Sequence, residues 1–78
     1  MPRPKNEELK TQIERAAWAQ FRAQGYNATT YATIGRACGI SRALAQYHFP
    51  KKELLAMSFM EDVLARAQAS MEIGRAHV

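Results

Sequence analysis

Between Ala37 and Arg42 the chain reads Cys-Gly-Ile-Ser, and these four residues restrict its fold more than any others. Gly39 supplies a positive-φ position at no steric cost. Ser41, two residues later, is a residue type that caps a helix by accepting a backbone N–H in its first turn. Only Ile40 lies between the two signals, and its apolar side chain plugs the junction. The stretch 29–55, TTYATIGRACGISRALAQYHFPKKELL, therefore predicts two short helices around a tight Gly-centred turn, with the start of another helix behind them.

The flanking segments extend this all-α pattern. Leu9, Ile13, Ala17 and Phe21 recur every four residues and predict a first helix over 6–24, with Ala16 and Trp18 widening the apolar stripe. Gly25 is placed to end it in the left-handed conformation. Thr29 or Thr30 caps a second helix running to about Ala37, with Ile34 as its clearest core residue. The third helix covers 42–48 and closes before Pro50, because the residue preceding a proline is pushed out of α geometry. A long fourth helix is expected from about Lys51 to Met71, with Leu54, Leu55, Phe59, Val63 and Leu64 as apolar contacts. Residues 1–5 read as a flexible basic arm, 6–50 as a helix-turn-helix domain and 51–72 as the fourth helix. Residues 73–78 read as a non-native tail, the alternative being a natural helix stop with Gly74 as its cap. Trp18, Phe21, Tyr26 and Phe49 have the spacing of a helical core.

At 78 residues the chain holds one small domain. It has no apolar run long enough to span a bilayer and no apolar signal-peptide segment, so a cytoplasmic location is expected. The single Cys38 has no disulfide partner, which fits a reducing compartment. A formal net charge of +4 matters less than its placement. Every Asp and Glu lies outside 15–52, a window that contains Arg15, Arg22, Arg36, Arg42, Lys51 and Lys52. Over a helix-turn-helix pattern, such a window predicts a phosphate-facing surface, since neutralising phosphates releases counterions.

A helix in the major groove reads bases with a few side chains while its flanks grip phosphates. Arg42, in the first turn of the third helix, suits a bidentate contact to guanine. Gln46 follows one turn later on the same face, and Ala43 is small enough for close approach or a thymine methyl. Expected phosphate contacts are Thr30, through its hydroxyl and a free N–H, with Tyr47, His48, Lys51 and Lys52. Against these roles, Arg42 has the alternative of a solvated helix-start arginine and Tyr47 that of a half-buried ring. No Ser, Cys or carboxylate stands near His48 as a catalytic partner, so no enzyme is expected. Cys38 and His48 have no recognised zinc spacing, and neither metal nor cofactor is expected. An all-helical protein-interaction module is the main rival, but it predicts acids scattered through 15–52.

Residues 13–55 also resemble the N-terminal domain of TetR-family transcriptional regulators. IERAAWAQFRAQGYNATT is similar to the family's first-helix pattern, YATIGRACGIS to its second helix and turn, and YHFPKKELL to its closing signature. Ala43 stands where a Gly is common, and Leu44, Ala45 and Gln46 where many members have Thr-Leu-Tyr. The family's usual phosphate-gripping Thr and Tyr are therefore missing, and Tyr47 is expected to substitute. The resemblance implies double-stranded DNA as partner, through a palindromic operator bound by a homodimer, and usually repression. It further implies a small-molecule effector held by a helical C-terminal domain that this chain lacks, so that these residues would be the DNA-reading fragment of a longer parent.

Overall fold

The computed structural model describes the backbone of residues 5–76 and the side chains of 6–69, which form four helices and no strand. Helix α1 spans Lys5–Gln24, α2 Tyr31–Cys38, α3 Arg42–His48 and α4 Lys52–Ala76. The expected basic arm falls on residues 1–4, outside the described residues, while the backbone of Lys5 already belongs to α1. The end of the expected tail, 77–78, also lies outside them. Before that point the α4 backbone passes through Gly74 and stays helical to Ala76, so Gly74 does not cap it.

Each of the first three helices ends where its local chemistry dictates. Glu7 and Glu8 stand at the positive end of the α1 dipole and Arg22 near its negative end. Gly25, at φ 89°, closes α1 by donating its N–H to Phe21 O at 3.0 Å. Thr30 rather than Thr29 caps α2: its side chain accepts from Thr33 N, and Thr33 Oγ1 accepts from Thr30 N. Thr29 is instead fully buried, its hydroxyl donating to Gly25 O at 2.9 Å.

Helix α2 stops at Gly39, which adopts φ 72°. The Gly39 N–H reaches Arg36 O, and the Ile40 N–H reaches Gly35 O at 2.8 Å, so two otherwise orphaned carbonyls are satisfied. Ser41 then caps α3, accepting from Leu44 N at 3.0 Å.

The core is small and drawn from every helix: Ile13, Ala17, Phe21, Ile34, Ala45, Phe49 and Leu55 are buried. Burying each large aliphatic side chain contributes about 1.5–3 kcal/mol. Partly buried Leu9, Trp18, Tyr31, Ile40 and Phe59 pack around this centre. Phe21 meets the edge of Phe59 with ring centroids 5.6 Å apart, and Trp18 Nε1 donates to Ser58 Oγ at 3.0 Å. These contacts fix α4 to α1.

Tyr26 departs from the core expectation. Its ring is exposed, lying tilted against Phe21 because the α1–α2 connection runs over the surface there. The α4 contacts also divide. Leu55 is buried and Phe59 half-buried, whereas Leu54, Val63 and Leu64 are exposed, along with Met57 and Met60. Among the described residues, α4 is covered on one side only and is exposed throughout 63–69.

Candidate nucleic-acid interface

Helix α3 has seven residues. Ala45 is buried, whereas Arg42, Ala43, Gln46 and Tyr47 are exposed. Arg42 and Gln46, four residues apart, share a groove with Thr30, Tyr31 and Ala32 at the start of α2. Three of the expected contacts, one from α2 and two from α3, thus meet in one place. Neither helix contains an acidic residue.

The first turn of α2 faces this groove. Thr30 departs from expectation in one respect: its N–H is taken by Thr33 Oγ1 at 3.0 Å, because the capping box closes on itself. The helix-start donors without an intrahelical acceptor are those of the following residues, Tyr31 and Ala32. Thr33 is fixed in turn by Gln20, whose Nε2 donates to Thr33 O at 3.0 Å.

At the other end of α3, Tyr47 is 77% exposed rather than half-buried. It stands edge-on to the half-buried His48, with ring centroids 5.3 Å apart. Lys51 is exposed just before α4. Lys52 is not the free cation the sequence suggested. Its ammonium donates to Tyr26 O and lies 4.0 Å from the centre of the Tyr26 ring, a cation–π contact joining the α1–α2 connection to α4.

The arginines of the basic window do not line one groove either. Arg15 and Arg22 line a cleft between α1 and α4, and Arg36 lines a groove between α1 and α2 with Gln20 and Gln24. Only Arg42 reaches the α2–α3 groove. Sequence order cannot show this partition, because helix faces turn by 100° per residue and each arginine follows its own face.

Two contributors escaped the sequence reading. The Tyr31 hydroxyl donates to Phe49 O, tying the start of α2 to the end of α3. Its phenol is held above the usual value by partial burial, then by the charge of Glu53 and by Tyr26. Lys10, outside the acid-free window, lies 5.7 Å from the centre of the Phe49 ring, beside the α3–α4 turn. A pattern based on charge along the chain could not find either, since both depend on contacts between helices. Burial raises the Cys38 thiol, whose Sγ donates to Gln12 O at 3.6 Å. Among the described residues no three His, Cys, Asp or Glu side chains gather as a metal site requires, and no helix is long and apolar enough to cross a membrane.

Residues 13–57 match the family model described as bacterial regulatory proteins, tetR family. No curated protein and no solved structure matches the chain.

Proposed function

The chain belongs to the tetR family of bacterial regulatory proteins, and from that premise we propose that it reads specific sequences in double-stranded DNA for a ligand-responsive repressor. The family's matched segment is a helix-turn-helix DNA-binding domain of transcription regulators, not an enzyme domain. The observation that carries the finer reading is the acid-free groove where Thr30 and the first turn of α2 meet Arg42 and Gln46 of α3. Arg42 and Gln46 read base edges, Ala43 permits close approach, and Thr30 with the first α2 N–H groups receives a phosphate. Tyr47, His48 and Lys51 grip the backbone beyond the end of α3. Lys52 serves the interface by holding the α1–α2 connection and leaves the direct phosphate contact to Lys51.

The working form is a homodimer on a palindromic operator in the cytoplasm, with the effector taken by a further helical domain. Leu54, Met57, Met60 and Leu64, apolar and exposed along α4, support this as surface awaiting cover.

The test is selection of duplexes from a randomised library across a salt series. An enriched half-site, with affinity falling steeply as salt rises, is the expected result. Absence of binding even at low salt removes the reading. Arg42→Ala is expected to cost about 1–3 kcal/mol on the selected site and relax preference at one position. Unchanged specificity takes Arg42 off the contact list. Lys51→Ala is expected to weaken binding to all sequences alike and make the logarithmic salt slope shallower by about one. A loss confined to one sequence contradicts the phosphate role.

A further inference from the structure

The five residues lining the cleft between α1 and α4 play no part in the DNA-reading groove. Arg15, Trp18 and Arg22 come from α1, Asp62 and Arg66 from α4, and they enclose about 420 Å³. We propose that this cleft binds a small anion carrying a doubly charged phosphate group, such as a phosphate monoester or pyrophosphate.

Charge comes first. Three guanidinium groups face one carboxylate, which leaves two positive charges uncompensated. Asp62 Oδ2 lies 3.0 Å from Arg66 Nε and 3.8 Å from Arg22 Nη2, and these are the ion pairs among the described residues. That oxygen is buried, yet neither arginine gives it a well-directed hydrogen bond. Asp62 therefore attracts both guanidinium groups while leaving their N–H donors without a well-formed hydrogen bond to it.

Geometry comes second. The Arg22 guanidinium also sits 5.6 Å from the centre of the Phe59 ring, which restrains it further. The Arg22 and Arg66 side chains are 51% and 69% exposed, so their planar N–H forks remain open to a ligand. Such forks match phosphate oxygens two at a time, and less ordering is left for binding to accomplish. Trp18 contributes a ring wall rather than a donor, because Ser58 Oγ accepts its indole N–H.

The cleft is separate from the proposed reading groove. Its lining comes from α1 and α4 alone, whereas the reading groove is built from α2 and α3 and shares no residue with it. A bound phosphate competes with Asp62 for Arg22, which forms the one ion pair between α1 and α4 among the described residues. The ligand thus acts on how α4 is tied to the bundle.

Trp18 is the single tryptophan of the chain, so its fluorescence reports on this cleft. The experiment titrates the full chain with sodium pyrophosphate, with sodium chloride holding ionic strength constant. A saturable fluorescence change is expected. It should weaken about tenfold or more in Arg15→Gln and, separately, in Arg66→Gln, each a loss of charge-assisted hydrogen bonds. Arg36→Gln removes the same charge elsewhere and should leave the response intact. Circular dichroism on each variant confirms that the helices remain. A response matched by chloride, or one undiminished in both cleft variants, overturns the proposal. So does a change that depends on Arg15 and Arg66 and follows short duplex DNA but not pyrophosphate, which assigns the cleft to the DNA surface.

Discussion

Gly35→Ala is expected to destabilise the fold by about 1–3 kcal/mol, the usual cost of forcing a methyl group into a packed junction. It should also reduce DNA binding by more than the lost stability explains. Gly35 is buried where α2 passes the α2–α3 turn, and a Cβ there would lie 2.8 Å from Ile40 O and 3.1 Å from Ser41 O. Both are backbone atoms, so no side chain can swing aside. Relief requires α2 and the turn to separate, which moves the start of α3 and with it Arg42. Gly39→Ala is the informative contrast. Its φ of 72° opposes any side chain, yet nothing lies within 4 Å of the added atom. It should cost about 1–2 kcal/mol of backbone strain while leaving the packing of α2 on the turn unchanged. Urea melts give both stabilities, and DNA titration at a temperature where each variant is folded separates geometry from stability. If Gly35→Ala melts and binds like the parent, the close approach of α2 to the turn is not a constraint.

Leu55→Ala should cost about 2–5 kcal/mol, whereas Leu54→Ala one position earlier should stay within about 0.5 kcal/mol. Leu55 is fully buried with Ile13 and Ile34 in the core, and truncating it leaves a cavity where α4 joins the first three helices. Leu54, turned about 100° away on the same helix, is 44% exposed. A chain of this size has about 4–12 kcal/mol of stability in total, so the first variant risks losing most of it. Equal costs at the two positions would mean that α4 sits in another rotational setting. That result would also remove the α1–α4 cleft, since Asp62 and Arg66 reach its rim only in the present one.

The helices themselves were legible because their signals are local. The four-residue apolar recurrence of α1, the positive-φ glycines at 25 and 39 and the Ser41 cap each act within a few residues. The boundaries therefore fell within a residue or two for α1 to α3. Choices between equivalent neighbours were not legible. Thr29 and Thr30 are the same residue type, and one became a buried tie while the other became the cap. Leu54 and Leu55 divide in the same way.

The candidate interface divides along that line as well. Arg42 and Gln46 are four apart on one short helix, so their shared face follows from helical geometry alone. That Thr30 joins them, and that Lys52 turns back onto Tyr26, depends on contacts spanning 12 or more residues of chain.

By itself, then, the sequence determined four helices, the ends of the first three to within a residue or two, the glycine-centred turn, and an acid-free stretch fit for phosphate; the end of α4, expected near Met71, lies at Ala76. Tertiary structure alone decided which arginines share a surface, which of two like neighbours is buried, and that Gly35 must lack a side chain. The physical reason is range. Caps and turns are settled by hydrogen bonds to residues three or four away. Burial and convergence are settled by which faces exclude water together, and that is defined only once the helices have met.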